Sequence, residues 1–353
     1  MIDFKDCRAR MVRQSFYKSM IKKTNIITGY DTIEKLPELV KKVKSKKIML
    51  VYDLKAEKSV LKIKKLFKQS KLQLFTYILT NGEQEKTFES VGKILKELIK
   101  NQFIKTDCLL SVGGGTTGDL CGFVSALFMR GIKFIFVPTT IIAACDSSIG
   151  GKTAVDFYGK KNIVGTFYDP VNVVCDFNEL LQLPDDIKKD GEGEILKYAL
   201  LSKDIFSLVD GNASICEIIQ KCIEFKFKIC KKDYFDKGLR HCLNLGHTIA
   251  HAVECLSDFK ITHGEAVKYG LLFIVKLSVK KGYMSLNTGE KCKDLLVKNG
   301  VKKFDFSMSE LAEFAKSDKK RKSNYIELVL LKDIGDPFLE KVKIDRLGDY
   351  YGD

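Results

Sequence analysis

The chain has no tryptophan, only five prolines and only four histidines in 353 residues. With so few prolines and 26 glycines, a Pro/Gly-biased disordered or collagen-like chain is excluded. Long hydrophobic runs are also missing. The most apolar stretch, residues 134–145, is interrupted by Pro138, Thr139 and Thr140 and is too short to cross a bilayer. Residues 1–23 carry scattered Lys and Arg but no apolar run before a cleavage site, so no secretory signal is expected. The eleven cysteines form no Cys-x-x-Cys pair and are odd in number, which argues against a disulfide framework. Cys121, Cys145 and Cys175 lie in apolar segments and are expected to pack reduced, as small hydrophobes. The expectation is a cytoplasmic protein.

What the chain does have is an ordinary core composition, 45% hydrophobic, and an excess of 60 basic over 45 acidic residues, a formal charge of +15. Its length suits about two domains. The lysines are spread along the whole chain, with short clusters at 41–47 and 319–322 that lack interleaved aromatics. No helix-turn-helix or zinc-finger pattern accompanies them. Neither nucleic acid nor membrane is therefore the expected partner, and a basic surface that attracts an anionic small molecule fits better.

Strand-like and helix-like segments alternate through the first half. Residues 47–53, 72–80, 108–112, 133–137 and 172–176 read as buried strands, and 55–69, 88–100 and a stretch from about 119 read as helices. This alternation predicts an α/β fold with a parallel sheet covered by helices. Beyond about residue 177 the period becomes helical at 186–201, 213–231, 239–257, 264–281 and 288–298, with one late strand at 327–331. The reading is an α/β domain over 1–176 and a mostly α-helical domain over 177–353, packed directly with a cleft between them.

The sequence Gly113-Gly114-Gly115-Thr116-Thr117-Gly118 fits G-x-G-x-x-G between a strand and a helix. Such a loop lets the backbone approach a pyrophosphate at a helix N-terminus, or it is simply a tight strand-to-helix turn. No acidic residue stands about twenty positions downstream to hold a ribose. Asp53, at the end of an earlier strand, could do so, or could merely cap the helix that follows.

All four histidines fall between 241 and 263. His247 and His251 are four apart on a helical stretch and share a face, and Glu194 and Lys197, three apart, do the same. Two histidines and a carboxylate make a ligand set that leaves a position open on a catalytic zinc-type ion. A lone histidine is more often structural, but the confinement of all four to one window favours metal.

These residues lie within a longer pattern. GGGTTGD at 113–119, GFV at 122–124, MRG at 129–131, VPTT at 137–140, DSSIGGKT at 146–153, KNIVG at 161–165, GEGEILK at 191–197, Gly238–Arg240, NLGHT at 244–248 and HGEAV at 263–267 together resemble the 3-dehydroquinate synthases of the sugar-phosphate cyclase family. The resemblance runs over residues 25–333 in consistent order; residues 1–24 lie outside it. It implies a Rossmann-like NAD-binding domain and a helical metal- and substrate-binding domain. It also implies a cyclising phosphate lyase of the shikimate pathway that uses NAD and a divalent metal, zinc or cobalt, on 3-deoxy-D-arabino-heptulosonate 7-phosphate. In the family's reaction NAD takes a hydride, phosphate is eliminated, the hydride returns, and an aldol step closes the ring.

Carried over motif by motif, the resemblance makes Glu194, His247 and His263 the metal ligands. It assigns NAD contacts to Asp53, Glu83, Lys86, Gly114, Gly115, Asp119, Thr139, Thr140, Lys161 and Gln182. Lys152, Lys197, Asp236 and His251 become the groups nearest the chemistry, and Asp146, Asn162, Lys226, Arg240 and Asn244 hold substrate. Arg130 matches a phosphate-binding arginine contributed from a neighbouring subunit, which implies a homodimer. One of Lys319 and Lys320, taken here as Lys320, reaches the phosphate. The chain departs from the pattern at Thr116-Thr117, Lys160, Glu192-Gly193, Asp236 and Gln182, and Glu192 would put a second carboxylate near the metal. Competing readings are a cyclase of a carboxylate-free sugar phosphate, an NAD- and metal-dependent polyol dehydrogenase, and a non-catalytic basic binding protein.

Overall fold

The structure, a computed structural model, describes residues 24–68, 70, 72–304, 306, 310–311 and 325–343. Lys319 and Lys320 lie outside the described residues. Two compact units emerge. One runs to Pro184 and includes Lys226–Phe235; the other comprises Asp185–Phe225 and the chain from Asp236 onward.

The first unit is built on six strands: β1 (Asn25–Gly29), β2 (Lys47–Asp53), β3 (Gln73–Leu79), β4 (Cys108–Gly113), β5 (Lys133–Pro138) and β8 (Asn172–Asp176). They pair in the order β1-β8-β5-β4-β2-β3, all parallel. Side chains alternate across the sheet, so each strand feeds two cores. Met49, Val51, Leu109, Phe134 and Phe136 pack with the helices Phe88–Lys100 and Gly115–Leu127 on one face. Ile48, Leu50, Tyr52, Leu110 and Val112 pack with Leu36–Lys42 and Glu57–Lys68 on the other. A sheet buried on both sides needs strands that are apolar at nearly every position, which explains why residues 47–53 and 108–112 read as continuous hydrophobic runs. The chain reverses direction across the sheet between β2 and β4. That is the switch point at which open α/β sheets bind ligands outside their strand ends.

An antiparallel hairpin, β6 (Lys152–Phe157) and β7 (Lys160–Phe167), also belongs to this unit. Sequence patterning did not find it because β7 is exposed along most of its length and carries no apolar alternation.

The second unit is mostly helical: Asp185–Leu201, Lys203–Asp210, His247–Leu256, His263–Lys280 and Leu286–Lys298, with the first part of Ile215–Lys232. The single helix expected over 239–257 is instead a 3₁₀ segment, Leu239–Asn244, followed by a helix that starts at His247. Gly246 lies between them with φ +76, and an added Cβ there would sit 2.9 Å from the Leu271 backbone N, so the break is fixed by conformation and by close packing. The late strand, β9 (Tyr325–Asp333), has an antiparallel partner, β10 (Asp336–Lys343), turned through Gly335. Of the ten described cysteines, nine are buried, Cys121, Cys145 and Cys175 among them, and none is in a disulfide.

Candidate active site

In the first unit, Asp53, Gly114, Gly115, Thr139 and Thr140 lie at the C-terminal ends of the parallel strands β2, β4 and β5. The helix after β4 begins at Gly115, four residues earlier than its sequence period suggests, with Gly114 extended at the N-cap and no side chain capping it. Its first N–H groups and dipole therefore favour an anion. Close packing explains several of the glycines. A Cβ at Gly118 would lie 2.4 Å from the Phe136 ring, one at Gly122 2.3 Å from Thr153 Cγ2, and one at Gly115 3.0 Å from Ser147 Oγ. Thr139 N–H donates to the Gly113 carbonyl at 2.9 Å, and Thr140 Oγ1 accepts the Ala143 N–H at 3.1 Å, placing the end of β5 beside this loop.

Asp53, at the end of β2, accepts the Lys55 N–H at 2.8 Å and so acts as a helix cap, at the strand end that flanks the switch point. Asp119 lies inside the helix, about one turn past its start. It accepts Lys86 Nζ at 2.8 Å, and the same ammonium donates to Asn162 Oδ1 at 2.6 Å and lies 3.8 Å from Glu83. Burial pushes the Asp119 carboxyl up to about 6 although Lys86 pulls it down. For Lys86 burial opposes the charge, but Asp119 and Glu83 outweigh it and raise its pKa. Asn162 is held at φ +56 on β7, where its N–H donates to Asp156 at 2.8 Å; Lys161 beside it is exposed. Gln182 accepts Lys58 Nζ at 2.7 Å on an exposed surface.

Asp146 sits in a π-helical turn, Ala143–Ser147. Its carboxylate and backbone carbonyl both accept from Lys226 Nζ, at 2.7 and 2.6 Å. Lys152 begins β6 and shares a small cavity with Asp119, Ser147 and Gly151. Arg130 is exposed in a turn where Met129, Arg130 and Gly131 all have positive φ, at 47, 58 and 123. Two consecutive non-glycine residues in that region are a strained arrangement that the surrounding chain must hold in place.

The second unit carries the histidines. Glu194, on Asp185–Leu201, is 1% exposed, and its Oε1 faces His247 Nε2 at 3.2 Å and His263 Nε2 at 3.0 Å. The ligand atoms of these three residues all lie within 4.8 Å of one another. Each ring is oriented by its other nitrogen: His247 Nδ1 faces the Leu245 carbonyl at 3.1 Å, and His263 Nδ1 faces Glu254 Oε1 at 3.3 Å. With Nδ1 donating, both Nε2 atoms direct their lone pairs at one point beside a carboxylate, the donor set a divalent cation takes. Lys197 ion-pairs with Glu194 and is itself 1% exposed, with its Nζ 4.6 Å from the Tyr198 ring. Burial opposes ionisation of Glu194, yet Lys197 and His247 outweigh it and hold its pKa well below the carboxylate range. For His263 burial opposes the cation, but Glu194 and Glu254 push its pKa up to about 10.

His251 is exposed, its ring 5.7 Å from that of His247. Asp236, at φ +57, lies near His241, whose Nε2 contacts the Asp236 carbonyl at 2.8 Å and whose Nδ1 contacts Glu327 at 3.0 Å. Arg240 is buried and Asn244 exposed on the 3₁₀ segment that follows. Glu192, two residues before Glu194, accepts Lys268 Nζ at 2.7 Å and is not part of the Glu194, His247 and His263 cluster. The sequence reading passed over Glu254 as an orienting group, although it stands seven residues after His247, two helical turns along the same face.

Comparison with known proteins adds to this geometry. Residues 76–190 match the family 3-dehydroquinate synthase N-terminal, and residues 191–321 match 3-dehydroquinate synthase C-terminal. The chain is 38% identical over 280 residues to a 3-dehydroquinate synthase of Clostridium botulinum, covering 76% of this chain and 80% of that one. It is 34% identical over 331 residues to the 3-dehydroquinate synthase of Ruthia magnifica, covering 89% and 91%. Among solved structures, a 2-deoxy-scyllo-inosose synthase complexed with carbaglucose-6-phosphate, NAD+ and Co2+ shares the fold, with a TM-score of 0.82 and 24% identity over 92% of this chain and 95% of that one.

Proposed function

The chain belongs to the 3-dehydroquinate synthase family, and on that premise we propose how its residues turn 3-deoxy-D-arabino-heptulosonate 7-phosphate into 3-dehydroquinate and phosphate. The observation that carries the reading is the convergence of His247, His263 and Glu194 on one point, each imidazole oriented by a second partner. Two imidazole nitrogens and a carboxylate oxygen within 4.8 Å of one another are the donor types and number that zinc or cobalt takes, the metal replacing the Nε2 protons that otherwise satisfy Glu194. The uncapped helix start at Gly115, the Lys86–Asp119 pair and the strand ends that carry Asp53, Thr139 and Thr140 fit NAD, and Glu83, Lys161 and Gln182 are assigned to the same cofactor.

When bound, the dinucleotide supplies a reversible hydride acceptor and the metal supplies Lewis acidity. The remaining work falls to the chain's own side chains. Lys152, Asn162, Lys226, Arg240 and Asn244 bind the oxygens of a doubly anionic substrate, and Arg240 can grip a carboxylate or phosphate with two parallel donors. Asp146 positions Lys226 through its two contacts. Lys197, buried against Glu194, places a cation where alkoxide charge develops. His251, exposed beside His247, exchanges protons with substrate and solvent, and Asp236 shapes the loop that presents Arg240.

Arg130 serves the phosphate of a second copy of the chain. Its strained turn holds it outward, and exposed Leu127 and Met129 beside it supply apolar area for a homodimer. Ten unbridged cysteines support residence in the reducing cytoplasm, and among the described residues no helix is long and apolar enough to cross a membrane.

The test is phosphate release from 3-deoxy-D-arabino-heptulosonate 7-phosphate with NAD and zinc, followed together with absorbance at the NADH band. Catalytic phosphate release without net NADH, stopped by a chelator, is the expected result. Net NADH without phosphate would make the protein a dehydrogenase.

A further inference from the structure

The helices that carry Glu194 and His263 meet at an unusually close junction. A Cβ at Gly193 would fall 2.5 Å from the Gly264 carbonyl oxygen, and one at Gly264 would fall 1.8 Å from the carbonyl oxygen of Asp190. The Asp190 carboxylate accepts the Gly264 N–H at 2.6 Å. Gly193 and Gly264 are the immediate chain neighbours of Glu194 and His263, so the spacing of these backbones sets the spacing of the two ligands. A second tie crosses the same junction. Lys268, 5% exposed, donates to Glu192 Oε2 at 2.7 Å and to the carbonyl of Asn299 at 3.0 Å. Asn299 is the C-cap of the helix Leu286–Lys298. One buried ammonium thus joins three helices: the one bearing Glu194, the one that His263 begins, and a third that braces both.

Glu192 and Gly193 are the two positions where this chain departs from the family pattern ahead of Glu194. The departures are complementary. Glycine removes the Cβ that would hold the backbones apart, and the glutamate supplies a charge that draws them together. A buried ammonium is costly without an anionic partner, so Lys268 holds Glu192, and the helix that carries it, at a fixed place.

We infer that the Glu192–Lys268 pair is a positioning element that sets the separation of Glu194 and His263 and thereby the affinity of the site for its metal. The inference rests on the reading of Glu194, His247 and His263 as metal ligands. Positioning and simple charge predict opposite results. Deleting the positive charge of Lys268 should strengthen binding of a dication if only Coulomb forces matter, whereas it should weaken binding if geometry matters.

The experiment titrates the metal-stripped protein with zinc against a chromophoric chelator. Lys268→Met is expected to bind zinc about 10-fold more weakly, at the low end of the loss typical of groups that orient ligands. The double variant Glu192→Ala/Lys268→Met leaves no buried charge unpaired and no change in net charge; it is expected to fold and to lose affinity by the same factor as the single. The melting temperature of each metal-stripped variant reports stability separately. Unchanged or tighter zinc binding in Lys268→Met, or binding within twofold of the parent in the double variant, would overturn the inference, whatever the melting temperatures do. If the single variant fails to fold, the double variant decides. His247→Ala is the reference: a parent that binds zinc no better than this variant refutes the metal reading itself, while a parent that binds normally beside unchanged variants refutes only the positioning role.

Discussion

Lys226 grips Asp146 twice with one ammonium, at 2.6 Å to the backbone carbonyl and 2.7 Å to the carboxylate. The two residues are 80 positions apart, and Lys226 lies on a helix, Ile215–Lys232, most of whose residues belong to the second unit. Its end nevertheless clusters with the sheet. Lys226→Met is expected to lower kcat/KM about 10- to 100-fold, the range for one lost charged hydrogen bond, and to cost about 1–3 kcal/mol of stability by leaving Asp146 without that partner. Steady-state kinetics and denaturant melts check both. Lys226→Arg, which keeps the charge, should recover part of each loss.

Glu254 orients His263 from behind, at 3.3 Å. Glu254→Ala is expected to weaken zinc binding by about 10- to 100-fold while kcat at saturating zinc changes much less. Equal losses in affinity and in kcat at saturating zinc would show that Glu254 does more than hold the ring.

Asp119 keeps its proton up to about pH 6 in the folded chain, because burial outweighs the pull of Lys86. An unfolded aspartate loses its proton near pH 4. Between those values the folded state binds more protons, so this group's contribution to stability is full below about pH 4 and is lost as pH rises through 6. Asp119→Asn removes that term. Its melting temperature should therefore fall less, or rise more, between pH 4 and pH 7 than the parent's, even if it starts lower for want of the Lys86 pair. Parallel melting curves across that range would contradict the assignment.

Arg130→Ala is expected to abolish turnover with little change in melting temperature, since Arg130 is exposed. Mixing it with Lys152→Ala, another inactive variant, should restore up to about a quarter of parental activity. In a mixed dimer one site receives both intact residues if arginine is donated across the interface. No recovery after confirmed subunit exchange would place Arg130 in its own subunit's site.

The parallel sheet was legible in the sequence because strands buried on both faces are apolar at almost every position, and 47–53, 108–113 and 133–138 show it plainly. The exposed strand β7 was not, because a strand without a buried face leaves no periodic mark. The histidines and Glu194 were legible through their rarity and motif spacing, and the structure brings those three side chains together.

Residue types and their local order, then, determined on their own the α/β half, the glycine loop and the helical half, since propensity and periodicity act over a few residues at a time, while the choice of Glu194, His247 and His263 came from the family resemblance. Tertiary structure alone decided who meets whom over long separations. It paired Glu192 with Lys268 and Asp119 with Lys86, and brought Lys226 to Asp146. Each of these is a buried or half-buried charge whose partner lies at least 33 positions away. Which opposite charge neutralises a buried one depends on how helices and strands pack, and no local pattern records that.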